Sequence, residues 1–323
     1  MRRLLKVYFV MSVAILGTLW LHPTRHPNPS PSNDDGDAVR RGGKPVRREG
    51  ASVRRGGAEW EAEQEKRRNS VRSGCRGTNP ASELRQVLIS EPRLTRLLVD
   101  DRHRAMYCFI PKVACTNWKL VWLKLTGRYS TFARKDNTTP DIHVFVEKDV
   151  SEEPRKLSLL KRKLEVYSKF LVVRHPYERL LSAFRDKVAT TLDTKFQRKV
   201  LSHVQRQRPQ ATHGDIQWPE FVSYVVDGGH KEDEHWATYT RLCHPCAIRY
   251  NFIAKYETLV EDSEEILRRI GAPKELHFPQ FESSDTADLL ESYMRNLTQE
   301  QIQGLGRVYK EDFDLFQYSY SPQ

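Results

Sequence analysis

The sequence predicts an α/β fold, with a central parallel sheet covered by helices on both faces. Three strand-to-helix units carry that prediction. In each, a continuous apolar run meets a short polar turn and then a segment with apolar residues at helical spacing. Strands buried on both faces and joined by amphipathic crossovers read this way. The first unit runs through residues 105–110, passes Pro111 and Lys112, and enters a helix from about Thr116 with Trp118, Val121, Trp122 and Leu125 on one face. The second runs through residues 170–173, then Arg174 and a proline turn, into a helix bearing Leu180, Leu181 and Phe184. The third runs through residues 252–254 into a helix that stops at Gly271, with Pro273 beyond it. Ligands of open parallel sheets sit outside the carboxyl ends of the strands. Lys112 and Arg174 both fall there.

The first turn reads as an anion site, because a strand, a turn and a helix N-terminus aim backbone N–H groups and the helix dipole at one point. It is not a Walker A loop, which needs glycines that "PKVACTNWK" lacks. A magnesium-bound nucleoside triphosphate is therefore a poor fit, and no acidic pair is set aside for a metal. Net charge supports an anionic ligand. The chain carries +11, but residues 86–208 hold 26 Lys and Arg against 13 Asp and Glu, while residues 209–323 hold 10 against 20. The basic excess lies in the half that contains the loop. It lacks the interleaved aromatics of a nucleic-acid reader, so it points to acidic small molecules or acidic polysaccharide.

The N-terminus is organised differently. Arg2, Arg3 and Lys6 precede an apolar stretch over residues 7–21, and no small-residue cleavage site follows it. This is the pattern of an uncleaved signal anchor with residues 1–6 in the cytosol and the rest of the chain in the lumen. Its shortness suits a thin early-secretory bilayer. Residues 22–85 are rich in Pro, Gly, Ser, Arg and Glu and read as a disordered stem, leaving residues 86–323 as the catalytic domain. The charged stretch 58–72 within that stem reads as a solvated helix at most. Sequons at Asn137 and Asn296 fit a lumenal domain. The five cysteines, Cys75, Cys108, Cys115, Cys243 and Cys246, leave one thiol over in an oxidising lumen. Cys115, inside the anion loop, is the candidate, and "CHPC" at 243–246 reads as structural disulfide material.

In "PKVACTNWK" and "VVRHPYERLLSAFRDK" the chain resembles the Golgi carbohydrate sulfotransferases. It is most similar to the group that sulfates O-4 of N-acetylgalactosamine in chondroitin and dermatan. "DEHW" at 233–236, "LCHPC" at 242–246 and "KYETLVEDS" at 255–263 resemble further blocks of that group in the same order. The resemblance implies a P-loop-NTPase-like sulfotransferase fold with 3′-phosphoadenosine 5′-phosphosulfate as sulfate donor and no metal. It also implies an acidic glycosaminoglycan or glycan acceptor and a type II Golgi membrane protein. Under it, the loop Pro111, Lys112, Val113, Ala114, Cys115, Thr116, Asn117 and Trp118 holds the phosphosulfate. Arg174 grips the 3′-phosphate, Ser182 adds a hydroxyl there, and Arg179 is a further cofactor-binding residue. Lys112 neutralises charge on the breaking S–O–P oxygen. A base must take the acceptor hydroxyl proton. His143 in "DIHVFVEKD" is favoured, His235 in "DEHW" is the rival, and Glu257 is a third candidate that alternatively bonds the neighbouring turn. Acceptors on N-glycans or glucuronic-acid-capped chains remain open, as does an inactive polyanion-binding lectin.

Overall fold

The computed structural model describes residues 57–91, 94–133, 141–152, 156–190, 194–280 and 285–320. Helices α1 (Gly57–Gly74) and α2 (Pro80–Ser90) precede a strand pair, β1 (Leu97–Asp100) and β2 (Ala105–Cys108). Next come α3 (Cys115–Leu125), α4 (Tyr129–Ala133), α5 (Ile142–Glu152) and α6 (Leu157–Val166), then β3 (Ser168–Val173). Helices α7 (Pro176–Ala183), α8 (Lys195–Val204), α9 (Trp218–Val226) and α10 (Tyr239–Cys243) lead to β4 (Phe252–Lys255). The remaining helices are α11 (Leu259–Arg269), α12 (Thr286–Met294), α13 (Gln299–Val308) and α14 (Lys310–Phe316).

The strands form one sheet in the order β1-β2-β3-β4. The three expected strands pair in parallel, with Tyr107, Phe170 and Phe252 in one row and Cys108, Leu171 and Ile253 in the next. The sheet is not purely parallel, however. β1 lies antiparallel on the outer edge of β2, because the turn at residues 101–104 is too short for a crossover. Helices cover both faces. On one, Trp118 of α3 lies 4.6 Å from Phe170 between ring centres, and Trp60 of α1 lies 5.6 Å from Phe252. On the other, α10 is bonded through Cys243 to Cys108 of β2. A second apolar core, built from Leu181, Phe184, Val200, Phe221, Trp236 and Leu305, joins α7, α8, α9 and α13 beside the sheet.

The boundary of the folded part differs from the sequence reading. Residues 57–85, expected within a disordered stem, are folded, and α1 is not a solvated helix. Its Trp60, Gln64 and Arg67 share one side and are all buried. The Gln64 amide donates to the Ile253 carbonyl and accepts from the Ile253 N–H, while Arg67 Nη1 donates to the same carbonyl. In effect α1 satisfies the open edge of β4, which would otherwise present unpaired backbone groups. Asp262 of α11 completes the joint, accepting from Trp60 Nε1, Arg67 Nη1, the Lys255 N–H and the Thr258 hydroxyl. Composition misses this because three side chains at helical spacing suffice to dock an otherwise charged helix.

Two disulfides, Cys75–Cys246 and Cys108–Cys243, use both cysteines of "CHPC" in separate bridges, and Cys115 is the free, buried thiol. Among the described residues no helix is long and apolar enough to cross a membrane, and the apolar stretch 7–21 lies outside them.

Candidate active site

The loop from Pro111 to Ala114 joins β2 to α3 at the carboxyl end of the sheet. Lys112 and Ala114 both take left-handed backbone conformations, with φ of 71° and 65°. Non-glycine residues adopt that region at a cost, and such strain gathers at ligand clamps. Left-handed residues alternating with right-handed ones turn successive N–H groups toward one point. The N–H groups of Cys115, Thr116 and Asn117 have no acceptor among the described residues, and Ala114 caps the helix without a side-chain bond. The side chains of Val113, Cys115 and Trp118 are buried in the core and anchor the loop. These three can therefore offer a ligand only their main chain. The exposed Thr116 hydroxyl and the half-buried Asn117 face outward. Burial raises the Cys115 thiol pKa against the pull of Lys119 and Lys112, so this thiol stays protonated.

Arg179 has a different place from the one the sequence suggested. Its Nε donates to the Pro111 carbonyl at 3.0 Å, Nη1 to Ala237 at 2.7 Å and Nη2 to Glu234 at 2.8 Å. All three nitrogens of the fork are engaged by backbone, so Arg179 braces the loop against residues 234–237 and does not face a ligand.

Lys112 Nζ donates to Asp186 Oδ2 at 2.9 Å. Asp186 sits with Lys187 on a π-helical turn, Phe184–Val188, that continues α7. Burial raises the Asp186 carboxyl, but Lys112 and Lys187 together outweigh it and hold the group below the ordinary carboxylate value.

Both candidate histidines approach this region. His143 lies at the start of α5, where its N–H donates to Asp141 Oδ1. Its Nε2 is 3.1 Å from the Thr116 hydroxyl and its Nδ1 is 3.0 Å from Lys119 Nζ. Burial, then the charge of Lys119, lowers its pKa. His235 packs edge-on to Phe196 with ring centres 4.8 Å apart, and its Nδ1 is 2.7 Å from Asp233 Oδ1. Burial lowers the His235 pKa although Asp233 opposes it.

Arg174 follows β3 as expected but is only 1% exposed. Its Nε donates to Glu178 Oε2 at 3.1 Å, and its guanidinium lies 4.1 Å from the centre of the Tyr256 ring. Tyr239 clasps its backbone, donating to the Arg174 carbonyl and accepting from its N–H. Ser182 is half-buried on α7. Glu257 accepts from the His175 N–H and the Tyr318 hydroxyl, so it bonds the neighbouring turn, the alternative foreseen for it. Asn296 is exposed between α12 and α13, and Asn137 lies outside the described residues.

The sequence reading missed Lys119, Asp186, Lys187 and Asp233. All four lay inside the quoted motifs, Lys119 at i+3 from Thr116, Asp233 at i−2 from His235, and Asp186 and Lys187 at the end of "VVRHPYERLLSAFRDK". Nothing local marked them as partners.

The sulfotransferase family profile matches residues 95–319, most of the described chain and every motif above. The chain belongs to the sulfotransferase family. It is 36% identical over 266 residues to carbohydrate sulfotransferase 11 of Rattus norvegicus, covering 78% of this chain and 75% of the relative. It is 33% identical over 276 residues to carbohydrate sulfotransferase 9 of Homo sapiens, covering 80% of this chain and 60% of that one. Carbohydrate sulfotransferase 14 of Danio rerio is 33% identical over 268 residues, with 79% and 71% covered. No solved structure matches. The sulfotransferase is thus an enzyme whose loop and helix N-terminus stand where β2 ends, with His143 against that helix.

Proposed function

We propose that this sulfotransferase moves sulfate from 3′-phosphoadenosine 5′-phosphosulfate to O-4 of N-acetylgalactosamine in chondroitin or dermatan chains, on a P-loop-like scaffold. We place it in the Golgi lumen, held by residues 7–21. The observation that carries the donor is the left-handed loop beside Lys112, whose Cys115, Thr116 and Asn117 N–H groups have no acceptor among the described residues. The acceptor rests on similarity to carbohydrate sulfotransferase 11.

The bound donor supplies the sulfuryl group and leaves as adenosine 3′,5′-bisphosphate. Thr116, Asn117 and the loop N–H groups hold the phosphosulfate, as helix N-termini hold anions generally. Lys112 exchanges Asp186 for the ligand and steadies the leaving oxygen. Arg174 and Ser182 serve the 3′-phosphate side, where Glu178 now balances the arginine. For the base we favour His235 over His143, the reverse of the order read from sequence. Asp233 accepts from His235 Nδ1–H, which leaves the Nε2 lone pair to take the acceptor proton, the orientation a general base needs.

A radiolabelled sulfate transfer assay against desulfated chondroitin, dermatan and an N-glycan panel tests the reading. Transfer to chondroitin or dermatan, lost in Lys112→Ala, supports it. Transfer to the N-glycans alone overturns the acceptor, and transfer that survives in Lys112→Ala overturns the loop's role.

A further inference from the structure

We infer that Lys119 is a positioning residue that locks His143 as its Nε2–H tautomer, making His143 a hydrogen-bond donor at the anion loop and not a base. This rests on the sulfuryl transfer proposed above. Lys119 is 1% exposed on α3, one helical turn beyond Thr116. Its Nζ approaches three groups: His143 Nδ1 at 3.0 Å, Glu147 Oε1 at 3.6 Å and the face of Phe109 at 4.1 Å.

An ammonium has three protons and no lone pair. Facing it, His143 Nδ1 must present its own lone pair, so the single proton of the neutral ring sits on Nε2. That proton points at the Thr116 hydroxyl, 3.1 Å away. An Nε2 that already carries a proton cannot take one from a sugar hydroxyl.

Burial lowers the Lys119 pKa, and Glu147 and the face of the Phe109 ring oppose that and favour the charged lysine. The groups that face His143 are Thr116 and Lys119 from α3, Asp141 and Glu147 from its own segment, and Lys187 from the π-helical turn. Burial, then Lys119 and to a smaller extent Lys187, lowers the His143 pKa against Asp141 and Glu147, which favours the neutral ring. Donating from Nε2, His143 adds a directed N–H to the acceptor-free backbone groups of the loop. There it meets either the Thr116 oxygen or a sulfuryl oxygen that gains charge in transfer. His235, with Asp233 on its Nδ1, has the opposite tautomer and the opposite role.

The two assignments separate by substitution. His143→Gln keeps an N–H donor but has no basic nitrogen, and Lys119→Arg keeps a donor that never deprotonates. We expect His143→Ala to lower turnover by a factor of about 10² to 10³, the usual cost of one such donor, and His143→Gln to regain about tenfold of it. Lys119→Arg retains turnover and Lys119→Met does not, with retention on immobilised adenosine 3′,5′-bisphosphate unchanged in both. The inference is overturned by a His143→Gln enzyme as inactive as His143→Ala, or by Lys119→Met outperforming Lys119→Arg.

A second readout needs no substrate. Ring ¹⁵N shifts of histidine-labelled full chain, with the His143 signals identified by their loss in His143→Gln, report the tautomer directly. Protonation at Nε2 in the unsubstituted protein is expected, and its loss in Lys119→Met. Protonation at Nδ1 overturns the inference even if Lys119→Arg does not fold. Because this measurement ignores the acceptor, it stands apart from any failure of the proposed function.

Discussion

Replacing Arg67 with methionine tests whether α1 belongs to the catalytic fold. The side chain is 3% exposed, and its Nη1 makes two bonds of 2.8 Å, to the Ile253 carbonyl and to Asp262 Oδ2. Methionine fills much of the same volume, so the change removes charge and donors more than packing. The Ile253 carbonyl still has Gln64 Nε2 at 3.2 Å, so its loss is small. Asp262, 1% exposed, keeps three neutral donors but loses its counter-charge. Breaking one side of a buried ion pair costs roughly 3–5 kcal/mol. In a domain of this size that corresponds to a fall in Tm of roughly 10 °C. Thermal unfolding of the secreted protein, followed by circular dichroism, measures it. Adding Asp262→Asn, which removes the stranded charge, recovers part of the loss. Turnover per folded molecule stays unchanged, since the joint lies on the edge of β4 away from the loop. An Arg67→Met protein that melts within a degree of the parent refutes the claim that α1 is docked through this pair.

A secreted chain starting at residue 57 should fold and transfer sulfate, while one starting at residue 86 lacks Trp60, Gln64, Arg67 and Cys75 and should not accumulate; the two yields are compared directly. Asp312 is buried, accepts from the Tyr239 N–H, and is raised from 3.8 to about 7, chiefly by burial. The folded state therefore prefers the protonated acid, and the stabilisation present below pH 4 is lost as pH rises through 7, on the order of 4 kcal/mol in all. Asp312→Asn should accordingly gain stability relative to the parent between pH 5 and 8, and urea titrations showing parallel pH profiles for the two proteins would contradict this. Arg174→Ala should raise the donor KM at least about tenfold through loss of a charge-assisted contact, and an unchanged KM removes Arg174 from the 3′-phosphate side.

What the sequence determined by itself was the set of features written in consecutive residues. The three parallel strands, the helices that follow them and the loop at Lys112 were legible, because apolar runs, helical spacing and turn residues act over a few positions. Cys115 as the odd thiol was legible from the cysteine count and its place in the loop. Tertiary structure decided the rest. The docking of α1 depends on Gln64 and Arg67 meeting Ile253, 189 and 186 residues away. The bracing role of Arg179 depends on carbonyls at Pro111, Glu234 and Ala237, and its sequence neighbours give no hint of them. The partners of the two histidines, a lysine at His143 Nδ1 and an aspartate at His235 Nδ1, are likewise visible only in three dimensions, and our proposed order of the two rests on them. A ring nitrogen's proton follows from the one group that faces it across space, and spacing along the chain does not carry that information.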